Sequence, residues 1–193
     1  MEKQSQLQML IHSLYNNKEI SLTEEFRKQL LETAKQFSSS SEDLLATRLS
    51  FAVSKELLGF KGEPPTELLD LAKIVQKKEA KYKQKEAQRI AIEAAAKFFQ
   101  KNLSQAESFL NNRGYKLDDK ALSDFGVGYA PVGNVAMNTL TTAGYSLDRL
   151  KEVDVVGSTE GRFYDRFRDR VMFPFYDMQG HIIGFSGRII TPR

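Results

Sequence analysis

Apolar positions recur at helical spacing through the first hundred residues and at strand spacing only near the end of the chain. Leu7, Leu10, Ile11 and Leu14 share one helical face, and after a break at Asn16 and Asn17 so do Leu22, Phe26, Leu30, Ala34 and Phe37. Ser21 or Thr23 can cap the second helix, with Glu24 and Glu25 in its first turn, where the helix dipole favours negative charge. The serine run 38–41 is a loop whose last member can cap a third helix, predicted to bury Leu44, Leu45, Leu49, Ala52, Val53 and Leu57. Gly59 offers its stop, and Gly62, Pro64 and Pro65 oppose continuation. Thr66 opens a fourth helix with Leu68, Leu69, Leu71, Ala72, Ile74 and Val75 early. Helical patterning then lapses in a polar stretch and resumes in IAIEAAAKFFQKNL, which should bury Ile90, Ala94 and Phe98.

The polar stretch carries Lys77, Lys78, Lys81, Lys83 and Lys85. Such a run could attract a phosphate backbone, but it is read here as a solvated helix face or a flexible link. It marks the boundary between a helical module, 1–85, and a second unit, 86–193. There SQAESFLNNRGYK gives a short helix ending at Gly114, and LDDKALSDFGVGYAP a further helix followed by an extended segment. Two more short helices, 138–143 and 147–153, flank Gly144. Val171, Phe173 and Phe175 then alternate with Met172, Pro174 and Tyr176, the two-residue period of a strand. Pro174 cannot donate to a ladder, so the strand sits at an edge or carries a bulge. Asp177 to Gly180 has Asp first and Gly fourth, as a type I turn prefers, and 181–190 returns as the second strand of a hairpin. The expected fold class is α+β: a helical N-terminal module, then a mixed subdomain of short helices with a C-terminal β-hairpin or small antiparallel sheet.

Composition narrows the chemistry. The chain has 193 residues, a net charge of +3, two histidines and no cysteine. A disulfide framework, a thiol nucleophile and a cysteine zinc site are therefore excluded, and His12 and His181 are too far apart in sequence to suggest a metal motif. No apolar run approaches the roughly 18 to 20 residues of a spanning helix, and no signal peptide opens the chain. A cytoplasmic address and no membrane partner are expected. The positive charge is concentrated: residues 161–193 hold six Arg and three Asp, with neither Lys nor Glu, a surplus equal to that of the whole chain. Arginine without lysine suits planar, forked recognition of phosphate or carboxylate.

In an extended segment Arg166, Arg168 and Arg170 would share one face, about 6.5 to 7 Å apart, a spacing that suits successive phosphates. Alternatively one or two fold back onto Asp165, Asp169 or Asp124 and fix the strand's start. Arg188 is the foremost candidate. It shares a face with Ile182, Gly184 and Ser186, and Gly184 and Gly187 leave room for a backbone or ligand to approach; the alternative is a local pair with an Asp. Phe163 and Phe167 are expected in the core, Tyr164 could stack a base, and His181 should be exposed. Arg113 either serves a helix C-terminus or reaches a binding groove, and Tyr129 is core or groove wall.

From about Ala94 the order of signals, AAAKFFQKNL, FLNNRGY, FGVGYAP and YDRFRDRVMFPFYDMQGHIIGFSGR, resembles the bacterial DnaG-type DNA primases, specifically the N-terminal subdomain of their RNA-polymerase core. Ser186 departs from the family's usual Gly. The resemblance implies a basic surface, with Arg188, Arg168, Arg170, Arg166, Arg113 and Tyr129 as candidates, for a single-stranded DNA template and its RNA primer. It also implies that the catalytic carboxylates, with their Mg or Mn ions, belong to a Toprim subdomain absent from this chain, so that no cofactor is expected here and the chain alone should not polymerise nucleotides. Asp165, Asp169 and Asp177 are assigned structural roles, as salt bridges to neighbouring Arg and as a turn contact. Residues 1–85 match nothing in the family, which has a zinc ribbon at that place.

Three functional readings follow. One is a primase-core subdomain that binds single-stranded DNA and completes a primer-synthesising site with a Toprim-bearing chain or segment. Another is an interaction or regulatory protein of a replication or mobile-element system, whose helical module docks a partner such as a replicative helicase or a second copy. A remnant that competes with an intact primase for template is a third.

Overall fold

The computed structural model describes residues 4–191; Arg193, counted above with the arginines of the tail, lies outside them. The fold is α+β, and the chain divides into two compact units between Lys85 and Glu86.

The first unit contains α1 (Gln6–Asn16), α2 (Glu24–Lys35), α3 (Glu42–Gly59) and the beginning of α4 (Thr66–Lys101). Each of the first three starts on a side-chain cap. Ser5 and Gln8 form a reciprocal capping box, Thr23 Oγ1 accepts from the Phe26 N–H, and Ser41 Oγ accepts from the Leu44 N–H. Each cap satisfies an amide that the helix itself leaves without a partner. The apolar faces meet in one core built on Leu7, Ile11, Leu14, Phe26, Leu30, Leu49, Val53, Leu68 and Leu71. Of the residues expected from α3, Leu45, Leu49 and Val53 are buried, whereas Leu44, Ala52 and Leu57 are only partly so. A buried carboxylate, Glu56, accepts from the Thr23 N–H at 2.7 Å and from its hydroxyl at 2.5 Å, so α3 secures the start of α2.

The lysine-rich stretch is continuous helix, not a link. Lys78 Nζ lies 2.7 Å from Glu42 and 3.5 Å from Asp43, while Lys81 and Lys85 approach Asp43 at 3.8 and 3.9 Å. These lysines therefore face the acidic first turn of α3, where their charge is met within the unit.

In the second unit α4 buries Ala91, Ile92, Ala95, Ala96 and Phe99, whereas Ile90 is 48% exposed and Ala94 and Phe98 are half-buried. The predicted face is turned by one residue. Ile90, Ala91 and Ile92 are consecutive and apolar, so the pattern allows more than one stripe, and tertiary packing chooses. A β-carbon on Gly128 would lie 2.5 Å from the carbonyl carbon of Phe99, which means that the strand's backbone seats directly on α4 at that point.

After a 3₁₀ turn (Leu103–Ala106) come α5 (Glu107–Asn111), α6 (Lys120–Asp124), β1 (Gly128–Ala130), α7 (Val135–Thr142), α8 (Leu147–Glu152), β2 (Val156–Thr159), β3 (Arg162–Asp165), β4 (Arg170–Tyr176) and β5 (Ile182–Ile189). The four short helices end alike. In LNNRGY, LSDFGV, LTTAGY and LKEVDV the N–H of the last residue bonds back to the carbonyl of the first: Tyr115 to Leu110, Val127 to Leu122, Tyr145 to Leu140 and Val155 to Leu150, at 2.9 to 3.1 Å. The fifth residue is left-handed each time, Gly114, Gly126 and Gly144 and then Asp154 at φ 58°. This is the Schellman closure, in which glycine avoids the steric cost of a Cβ. All four leucines are buried.

Strands β1, β4 and β5 form an antiparallel sheet with β4 in the middle, and β2 and β3 a separate pair. The β4–β5 hairpin turns where Asp177 Oδ1 accepts the amides of Gln179 and His181, both at 2.9 Å. Pro174 is tolerated in a middle strand because β1 pairs only with Arg170 to Met172, and a bulge follows at Phe175 and Tyr176. One face of the sheet, with Met172 and Phe185, packs on Ala95, Phe99 and Leu150; the other, with Val171 and Tyr129, packs on Leu110, Leu122 and Val127.

α7 has no capping bond of its own from Asn134. Its first amides are met from elsewhere: Asp165, 3% exposed at the end of β3, accepts from the Ala136 N–H at 2.8 Å and the Met137 N–H at 2.7 Å.

Candidate nucleic-acid interface

Three arginines expected to form a row do not form one. β3 ends at Asp165, and Asp169 is left-handed at φ 52°, so 166–169 is a connector and not extended strand. Arg166 lies 3.4 Å from Asp154. Arg168 donates to Asn134 Oδ1 at 3.1 Å and rests 5.4 Å from the centre of the Tyr164 ring, which itself covers Gly157. Arg170 donates to the Gly187 carbonyl at 2.9 Å. The left-handed turn is fixed by contacts distant in sequence. Tyr129 Oη donates to Asp169 Oδ1 at 2.9 Å, the Thr191 N–H to Asp169 Oδ2 at 3.3 Å, and the Ile190 N–H to the Asp169 carbonyl at 3.0 Å.

These bonds also correct the roles expected of the aspartates. Asp165 and Asp169 are structural, but they hold backbone amides and a tyrosine, not salt bridges to arginine; Asp177 makes the turn contact. The three belong to the start of α7, the foot of β4 and the hairpin tip, and each is engaged there. Their donor set therefore does not fit a divalent ion, and among the described residues no group of three or more His, Asp or Glu could hold one. The Thr191 bond holds the Asp169 carboxyl below its usual range. Burial pushes Asp165 up, against its two amide bonds and the charge of Arg168. Tyr129 is core: it is buried, and burial together with Asp169 pushes its phenol up to about 12.

Gly187 does not leave room for a ligand. A β-carbon there would meet Arg170 Cδ at 2.9 Å and Met172 Sδ at 3.1 Å, so its space is filled by the chain itself, on the face of the sheet opposite Arg188. Gly184 does border open space. Phe163 and Phe167 pack against the core and His181 is exposed, as the sequence suggests.

Arg188 and Arg113, from distant parts of the sequence, come together on one groove. Arg188 pairs in register with Val171 and so projects on the side of the core that holds Leu110 and Leu122. There a groove of 520 Å³ is lined by Phe109, Phe125, Phe173 and Pro174 among others, with Arg113 and Arg188 in its wall. The Arg113 guanidinium lies over the Phe109 ring, 4.5 Å from its centre, a cation–π contact that holds the charge in place. Both arginines are exposed, and among the described residues neither meets a carboxylate. Phe125 is 69% and Phe173 41% exposed, unusual values for aromatics beside a core. Sequence reading missed this lining. Phe173 was legible, since it shares the two-residue face of Val171; Phe109 and Phe125 stand on separate helices with no shared period.

Residues 93–193 match the family profile described as the DNA primase catalytic core, N-terminal domain. The DNA primase of Escherichia coli K12 is 38% identical over 109 residues, covering 50% of this chain and 18% of that protein. Among solved structures, a DnaG primase catalytic domain bound to ssDNA superposes with a TM-score of 0.52 at 28% identity, over 58% of this chain and 38% of that one. The Aquifex aeolicus primase, comprising zinc-binding and RNA polymerase domains, gives 0.51 at 26% identity, over 65% and 33%.

Proposed function

Because the chain belongs to the family of the DNA primase catalytic core, N-terminal domain, we propose that its second unit holds single-stranded template DNA and the RNA primer during primer synthesis. The reading rests on one observation: two arginines that meet no carboxylate among the described residues flank an open groove. Guanidinium groups so placed neutralise phosphates and release counterions. That a neighbour of the same fold is bound to ssDNA supports it. Arg188 and Arg113 are the contacts, whereas Arg166, Arg168 and Arg170 brace the connector and the strand that follows it. The metal-bound carboxylates of nucleotide transfer, with Mg or Mn, are assigned to a Toprim element working beside this unit, since Asp165, Asp169 and Asp177 are engaged elsewhere.

Fluorescence anisotropy with a labelled single strand tests the proposal. Binding should be measurable at low salt, and Arg188→Ala should weaken it about tenfold and lower the salt slope by about one. A chain that binds no strand at low salt would overturn it.

A second role, docking of a protein partner such as a replicative helicase by the first unit, is favoured by one feature. Phe51 and Leu58, seven residues apart on α3, are 78% and 90% exposed. Phe51→Ser with Leu58→Ser should abolish co-purification with such a partner, and unchanged co-purification would remove the idea.

A further inference from the structure

We infer that the groove beside Arg188 is a base-stacking site, which makes this unit selective for unpaired strands and not merely for phosphate. The inference rests on the DNA-binding reading above and deepens it. A phosphate-only surface needs cations on a solvated ridge, but here Arg113 and Arg188 stand in the wall of an apolar hollow. Its volume, 520 Å³, falls within the roughly 300–1,000 Å³ that encloses a ligand of several rings. Two rings in that wall, Phe125 and Phe173, remain substantially exposed although apolar space lies next to them.

Local structure fixes both rings. Phe125 closes α6 immediately before left-handed Gly126, and a β-carbon on Gly126 would lie 2.6 Å from Tyr176 Oη. Phe125 therefore ends its helix at a closely packed position, where Tyr176, Gln100 and Pro174 crowd the residue that follows it. Phe173 sits on β4 in register with Ser186, two residues from Arg188 on the same face. A ring face at each place and a guanidinium beside it match a nucleotide: the base stacks and its phosphate meets the arginine. In a duplex the bases are already stacked and paired, so they cannot enter.

The test compares three probes on the full chain by anisotropy: a single strand, the same strand with abasic sites, and a blunt duplex. The expected result is that the intact strand binds about tenfold tighter than the abasic strand, a gap that Phe125→Leu and Phe173→Leu each reduce. Arg188→Ala should weaken intact and abasic strands alike. Thermal melting shows that the leucine variants are folded, and the abasic comparison needs no variant. Equal binding of intact and abasic strands, still sensitive to Arg188→Ala, would overturn the stacking site and leave the proposed function standing. Absence of binding to every probe would overturn both. A short Asp- and Phe-containing peptide that binds more tightly than the strand, and is lost with Arg188→Ala, would make the groove a peptide site and overturn the inference.

Discussion

The two units specify most of their helices at opposite ends. In the first, α1, α2 and α3 are 11, 12 and 18 residues long, and each begins with its own serine or threonine cap. In the second, α5, α6 and α7 are five, five and eight residues long and start without any side-chain cap of their own; α8, six residues long, is the exception, with Ser146 Oγ accepting from the Arg149 N–H at 3.3 Å. They are finished by a left-handed residue and a backward hydrogen bond instead. Helices of one or two turns are far too short to persist alone, and three of these four form without a start signal of their own. What matters is where each one stops, because the stop aims the following strand or loop. Long helices need a nucleus, whereas short ones need a terminus and a tertiary neighbour.

The most severe test of this contrast is Gly128→Ala. The added carbon would press on the Phe99 backbone, and overpacking against backbone should cost about 3 kcal/mol or more. Amide protection should collapse in the second unit and persist in α1 to α3; equal loss in both would show that the units do not respond separately.

Next in size is the loss of the remote cap. Asp165→Ala strands two amides at the start of α7 and should cost about 2–3 kcal/mol by urea denaturation. Ser41→Ala, which removes a local cap from a long helix, should cost about 1 kcal/mol. If the two costs were equal, the distinction between local and borrowed starts would carry no energetic weight.

Alkaline pH sharpens the comparison further. The Tyr129 phenol is raised in the fold to about 12 from 10. Its contribution is therefore complete below pH 10 and is lost as pH rises toward 12. The second unit should loosen across that window while the first does not, and Tyr129→Phe should remove the pH step at a cost of about 1 kcal/mol for the Asp169 bond. Tyrosine absorbance followed together with amide protection reads both.

The smallest effect concerns the one closure without glycine. Asp154→Gly should stabilise by about 0.5–1 kcal/mol by relieving the left-handed residue. No gain on thermal melting would mean that the Arg166 contact at 3.4 Å offsets the strain.

How far the chain could be read follows the same division. Thr23 and Ser41 were legible as caps because their targets lie three residues away, and the β4–β5 hairpin because a two-residue period and a turn signal adjoin. Gly114 and Gly144 were legible as stops, but the shared LxxxGY-like pattern was not: its four occurrences are unevenly spaced and the last has Asp in place of Gly. The arginine row failed because alternation continues through 166–170 while the backbone does not. Asp169 is turned by Tyr129, 40 residues earlier in the chain, and by the end of β5. The same holds for the groove, where Arg188, Phe125 and Phe109 meet only once the sheet has formed. Local chemistry was readable, and long-range chemistry required the fold.

Asp165 has a consequence in time as well as in energy. The residue that completes the start of α7 lies 28 positions after Met137, the amide it receives. At about 5–20 residues per second, a growing chain holds the sequence of α7 for roughly one to six seconds before its acceptor has been made. Until then the helix has an end but no beginning, and it is exposed to whatever else will bind an unpaired amide.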